Sequence, residues 1–168
     1  MLTELTHNKT ISPFKKGLLP YDSSVYIYLT RDLTNLSYID SFAPRRISTI
    51  IAASIVHHSS RIEQDFNSFS ERETPSGFPF EKNGQPFDYI FNPSILKWLC
   101  NQTCPEPAGN SITLRIDILS GKTGNLLDSI QISRETSFTT EFCSSTCELL
   151  IDPLDKIVPA LFQSPGQQ

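Results

Sequence analysis

SITLRIDILSGKTGNLLDSIQIS, residues 111–133, decides the fold. Ile112, Leu114, Ile116 and Ile118 alternate with Thr113, Arg115 and Asp117, the two-residue period of a strand with one buried face. SGKTGN at 120–125 is rich in Gly and small polar residues and reads as a turn. LLDSIQIS at 126–133 then returns as the next strand. Strands joined by so short a connection run antiparallel. Just upstream, FDYIFNPSILKWL at 87–99 supplies a third strand. Pro93 within it has no N–H for a ladder, so the strand is expected at a sheet edge or at a bulge. The C-terminal half thus predicts an antiparallel three-strand meander.

Working towards the N-terminus, SSVYIYLT at 23–30 alternates Val25, Ile27 and Leu29 with Tyr26, Tyr28 and Thr30, and predicts another strand. A helix follows, opened by Ser41 with Pro44 in its first turn. Its apolar face is Ile47, Ile50, Ile51 and Ile55. A short strand is expected over 61–66. Residues 68–85, SFSERETPSGFPFEKNGQ, hold too much Pro and Gly for a regular helix and read as a loop anchored by Phe78 and Phe80. After the meander, a last helix is expected to start near Asp152 as its cap, with Pro153 in its first turn. Leu154, Ile157, Val158, Leu161 and Phe162 form its buried stripe, and Pro159 shortens it. The pattern predicts an α+β fold: a mixed sheet with helices packed on one face. Residues 1–20 are expected as an extended tether, 21–163 as a single domain and 164–168 as a frayed tail.

A chain of 168 residues fits one domain with a self-supporting core, for which 11 Phe and 5 Tyr provide large pieces. The net charge of −4 offers no basic face, so nucleic acid is not expected as a partner. No apolar run reaches the length needed to span a bilayer. MLTELTHNKTISPFKKG at the start has no signal-peptide core. Either the protein stays in the cytosol, or it is a mature form whose leader has been replaced by Met1. Two cysteine pairs in a short chain point to the second, oxidising case.

DSSVYIYLTRD followed by a helix, then FDYIFNPSILKW, ITLRIDILSGKTGNLLDSIQISRETSF and IDPLDKIVPALF, resemble a family of bacterial envelope lipoproteins of unknown function. The shared features fall on residues 24–29, 88–98, 112–132 and 153–162, about two-thirds of the chain. The resemblance implies a fold similar to the N-terminal domain of TolB and to outer-membrane lipoproteins that assist polysaccharide export. It implies a periplasmic location, with outer-membrane anchoring through a lipid on a segment absent from this chain. It also implies no catalysis, no cofactor and protein partners in the envelope, with self-association open. The chain departs from the family in having no N-terminal lipid-bearing cysteine and, over 68–86, no second helix.

All four cysteines lie in two equally spaced pairs, Cys100 and Cys104, and Cys143 and Cys147. On the meander both pairs fall at one end of the sheet. Thiol redox chemistry usually uses C-x-x-C with a depressed pKa; C-x-x-x-C without neighbouring cations fits it poorly. Structural disulfides are expected, with a zinc site of four thiolates as the alternative. Bonds within each pair would close rings of about five residues, worth about 2 kcal/mol; bonds between pairs would close about forty residues, worth about 4 kcal/mol. Stability favours the second pairing and the matched spacing favours the first.

The remaining candidates read as structural. His57 and His58 are neighbours on a helix and point about 100° apart, so they do not chelate together. His7 lies in the tether. Glu71 and Glu73 flank Arg72 in the loop and are expected in solvent. Trp98 is expected beneath a helix rather than stacking on a sugar. Asn8-Lys9-Thr10 and Asn101-Gln102-Thr103 match a glycosylation pattern, which is coincidence in a bacterial protein and would matter in a secreted eukaryotic one. No phosphate loop, nucleophile elbow or zinc-protease motif occurs. The sequence therefore predicts a non-enzymatic envelope protein acting as a scaffold or assembly factor. The alternative is a small-ligand or zinc-binding module using the four cysteines.

Overall fold

The computed structural model describes residues 7–34, 43–65, 77–99, 111–136 and 149–166. In chain order the elements are β1 (His7–Ile11), β2 (Ser23–Ile27), β3 (Arg31–Asp32), α1 (Ala43–Ile55), β4 (Ser59–Gln64), β5 (Glu81–Lys82), β6 (Gln85–Pro86), β7 (Tyr89–Leu99), β8 (Ser111–Ser120), β9 (Leu126–Thr136) and α2 (Ile151–Ala160). The protein is α+β, with a mixed sheet and two helices. The sheet runs β1-β9-β8-β7-β2-β4, and β3 continues the β2 side along β7. β1, β9, β8 and β7 pair antiparallel. β2 pairs parallel with both β7 and β4, so the N-terminal half contributes a β–α–β crossover through α1.

The alternation in β8 sorts its side chains as the sequence demands. Ile112, Leu114, Ile116 and Ile118 are fully buried. They join Val25 and Ile27 of β2, Phe91, Ile95 and Trp98 of β7, and Ile130 and Ile132 of β9 in one core. Both helices close this face. α1 contributes Ile47, Ile51 and Ile55, and α2 contributes Leu154, Ile157 and Val158. α1 is also tied to the sheet by polar contacts. The Ser48 hydroxyl, fully buried, accepts from the Thr30 backbone N–H and donates to the Tyr28 carbonyl. This satisfies backbone groups where the chain leaves β2, which would otherwise be buried without partners.

The opposite face carries a second, smaller cluster of Tyr26, Tyr28, Phe80, Phe87 and Ile90, with Phe78 packed against it. The segment expected as plain loop over 68–85 is, within the described residues, partly a hairpin. β5 and β6 pair around Asn83 and Gly84, whose φ values of 53° and 75° suit a primed two-residue turn. The Asn-Gly signal was visible in the sequence, but its flanks, Glu81–Lys82 and Gln85–Pro86, lack any apolar alternation. Phe80 is buried and anchors the hairpin, as its aromatic character suggested. Arg61 clamps it from β4, with its guanidinium 4.0 Å from the Phe87 ring centroid and donating to Gln85 Oε1 and the Pro86 carbonyl.

Several expectations are corrected. Pro93 is not on an edge strand, since β7 lies between β8 and the β2–β3 side; the bulge in β7 falls between Ile95 and Lys97 instead. The carbonyls of Phe91 and Ile95 accept from Tyr28 and Leu33. Pro93, two residues from each, therefore turns its missing N–H towards the gap where β2 gives way to β3. Of the stretch 1–20, residues 7–20 are described. β1 pairs with β9 through His7–Ile11, and Leu19 is fully buried beside Phe162. A polar edge strand carries little periodicity, because its stability comes from backbone pairing and Lys is common there. Asp152 does not cap α2: Leu150 holds the cap position without a side-chain bond, and Asp152 lies in the first turn, where its charge still suits the helix dipole. α2 ends at Ala160, so Leu161 and Phe162 are buried from beyond it. β4 begins at Ser59, two residues before the expected 61.

Candidate functional site

Parallel β2 and β7 start side by side, and a carboxylate joins their first residues. Asp88 Oδ2 accepts from the Ser24 backbone N–H at 2.9 Å and from its hydroxyl at 3.1 Å. The Asp88 backbone N–H in turn donates to Ser24 Oγ at 2.9 Å. This reciprocal lock forms one wall of a cleft of about 340 Å³, lined by Tyr21, Asp22, Asp88, Tyr89, Ser120 and Lys122 among others. Asp22 sits there at a φ of 70°, a left-handed conformation that Asp tolerates better than most side chains. Burial, and then the Asp88 charge, raise the Tyr89 pKa above its ordinary value. The cleft can receive a small polar group between two carboxylates and an ammonium. Among the described residues it contains no histidine or thiol to activate its serines, and Ser23 Oγ is already donating to the Pro20 carbonyl.

A second cleft, of about 530 Å³, opens where the N-terminal segment meets the end of α2, with Lys16, His58, Phe162 and Gln163 in its wall. The His58 ring lies 5.9 Å from that of Phe162. His57 is exposed and His58 half-buried, and both lie just past α1 rather than on it. Of the two, His58 lines this cleft. Among the described residues, no group of three or more His, Cys, Asp or Glu is placed to hold a metal.

The four cysteines, Cys100, Cys104, Cys143 and Cys147, fall outside the described residues, as do Glu71 and Glu73. The strands that lead to the cysteines do end together: Leu99 pairs with Ser111, and Ser111 with Glu135. Trp98 is 3% exposed within the core and has no open ring face for a ligand.

Sequence reasoning missed Tyr26. It sits in the second cluster, 5.3 Å from Tyr28 and 4.9 Å from Phe80, ring to ring. Burial foremost, then the Asp65 carboxylate, which accepts from its hydroxyl, and the neighbouring Tyr28 push its pKa far above the ordinary 10.0. Only the strand alternation hinted that this tyrosine faces away from the main core; nothing hinted at Asp65. The raised pKa sets a pH dependence. The folded state keeps a proton that the unfolded state releases above about pH 10, so the stability contributed by Tyr26 is full below that pH and lost as pH rises past it. Urea midpoints are expected to stay level up to about pH 10 and then fall, and to fall less steeply in Tyr26→Phe. An identical alkaline slope in the variant would show that the phenol is not the titrating group.

No protein-family model matches the chain, and no curated protein matches it. Solved structures do. The PelC dodecamer from Paraburkholderia phytofirmans superposes with a TM-score of 0.64 at 11% identity, covering 95% of this chain and 100% of that one. The chain shares its fold with PelC. Lipoprotein GNA1162 from Neisseria meningitidis superposes at 0.54 with 10% identity, covering 79% of this chain and 94% of that one. The DUF330 protein XCC0632 from Xanthomonas campestris gives 0.52 at 8% identity, over 85% and 84%. The expected α+β architecture is therefore one found in bacterial proteins that include a lipoprotein. Among the described residues, no helix is long and apolar enough to cross a membrane.

Proposed function

We propose that this protein is a non-enzymatic cell-envelope subunit of the lipoprotein type, which assembles with copies of itself and acts as a scaffold. The observation that carries this reading is the end-to-end likeness to PelC, a dodecamer, with neither chain leaving a large unmatched part. The GNA1162 lipoprotein supports an envelope setting. Periplasmic residence with an outer-membrane lipid anchor, protein partners there and kinship to the TolB N-terminal domain belong to the same proposal. The clefts favour the same reading, since each gathers hydrogen-bonding groups without a nucleophile and base in contact.

The cysteines bear on where the protein works. In an oxidising compartment they are expected as disulfides. Two measurements test the proposal. Sedimentation of the purified chain should give a mass several times the 18.9 kDa of one copy; a monomer at every concentration overturns self-assembly. Thiol titration under denaturing, non-reducing conditions should find no free thiols. Four free thiols with one bound zinc would instead establish the alternative, a zinc-binding module built on Cys100, Cys104, Cys143 and Cys147.

A further inference from the structure

β4 is an open edge of the sheet, pairing among the described residues with β2 alone. The Asp65 N–H donates to the Ile27 carbonyl of β2, and successive residues of a strand turn their backbone groups to opposite sides. Arg61 and Glu63 therefore bond towards β2. Ser60, Ile62 and Gln64 present their N–H and carbonyl groups outwards, where no described strand receives them. Such a row is a template for a further strand.

The two faces of β4 differ. Ile62 and Gln64 lie on the helix face, lining with Ala52 and Val56 a groove of about 440 Å³, and Val56 is 55% exposed there. Arg61 and Glu63 lie on the other face, Glu63 beside Tyr26 in the ladder. These charges select what fits the edge. With outward groups at 60, 62 and 64, antiparallel self-pairing is confined to registers two residues apart. The register centred on Ile62 sets Arg61 opposite Glu63 of the second copy, and Glu63 opposite its Arg61. Both are non-hydrogen-bonded pairs, where side chains come closest, with Cα atoms about 4.5 Å apart. Centring on Arg61 or on Glu63 instead sets like charges directly opposite, which destabilises a ladder. Nothing here requires Arg61 to leave Gln85 and Pro86, to which it donates; it requires only that the strand facing it be acidic. On the helix face the same register sets the two Ile62 side chains next to each other and turns the two grooves towards one another.

We propose that β4 pairs antiparallel with β4 of a second copy of this chain, centred on Ile62, so that the sheets of two copies run on as one. This deepens the self-assembly reading above and rests on it. The contact is two-fold and uses each β4 once, so the particle holds an even number of copies. The test is sedimentation of the full chain with Glu63→Arg, Arg61→Glu, Gln64→Pro and, as a control on the exposed side of α2, Lys156→Glu. Glu63→Arg and Arg61→Glu each set like charges across the two-fold, and Gln64→Pro removes an outward N–H; each should fall to half the wild-type mass or less. The control should keep the wild-type mass. An equal mixture of Glu63→Arg and Arg61→Glu restores opposite charges across every contact and should recover that mass. Should Arg61→Glu melt early by circular dichroism, having lost its hold on the β5–β6 hairpin, Glu63→Arg and Gln64→Pro decide. An oligomer that keeps its mass in both of these leaves the β4 edge to another occupant, overturning this contact while self-assembly stands. An odd number of copies overturns the two-fold contact, and two folded charge variants that do not recover on mixing overturn its register. A monomeric wild-type protein removes self-assembly and this contact with it.

Discussion

Gly121→Ala is expected to lower stability by about 3 kcal/mol or more, the upper range for an overpacked site. A Cβ at Gly121 would lie 1.9 Å from the Phe87 carbonyl oxygen and 2.8 Å from its carbon. Both are backbone atoms, so no side chain can rotate out of the way. Nor can Gly121 itself move without loss. Its N–H donates to the Asp88 carbonyl at 2.8 Å and its carbonyl accepts from the Phe80 N–H at 2.7 Å. The first bond sits next to the Asp88–Ser24 lock, and the second holds the aromatic segment over the second face. Shifting Gly121 therefore loosens both the start of β7 and the anchor of the β5–β6 hairpin. Urea unfolding measures the loss. A change below about 0.5 kcal/mol, the scale of an ordinary surface substitution, would mean that the close approach of these two backbones is absent in solution.

Trp98→Ala is expected to cost about 3–5 kcal/mol, the range for removing a large aromatic from a core. For a chain of this length that corresponds to a fall in Tm of roughly 6–20 °C. Trp98 packs in the main core with residues of both helices. Deleting it leaves a cavity between sheet and helices that neighbours on a rigid ladder fill only in part. Trp98→Phe retains most of the volume and is expected to recover more than half of the loss. Thermal unfolding followed by far-ultraviolet circular dichroism reads both variants. Equal melting of Trp98→Ala and wild type would place the indole outside the core.

The strongly periodic segments were the legible ones. β8 announced its buried face through four aliphatic residues at alternate positions, and a strand with one buried face has only one register that keeps them inside. α1 was equally clear, because its isoleucines recur at helical spacing. β1 was not legible. His7–Ile11 is polar, and its place on the edge depends on β9, more than 120 residues away in sequence. The hairpin of β5 and β6 was hidden for a related reason: apart from Asn83-Gly84, its order comes from Phe80 and from Arg61 on another strand. The lock between Ser24 and Asp88, and the proton that Tyr26 shares with Asp65, join residues about 40 to 64 positions apart. Local composition says nothing of such meetings.

The sequence by itself determined the class of fold, the buried faces of β8 and α1 and the net charge of −4, since periodicity and net charge are properties of a segment or of the whole chain. Only the tertiary structure decided that β7 is an inner strand despite Pro93. The proline is harmless there because β2 ends and β3 begins opposite it, a coincidence of two distant segments. The structure likewise decided that β4 is an edge, which among the described residues pairs with β2 alone. An edge is defined by what does not pair with it, and pairing is a relation between strands that no single stretch of sequence contains.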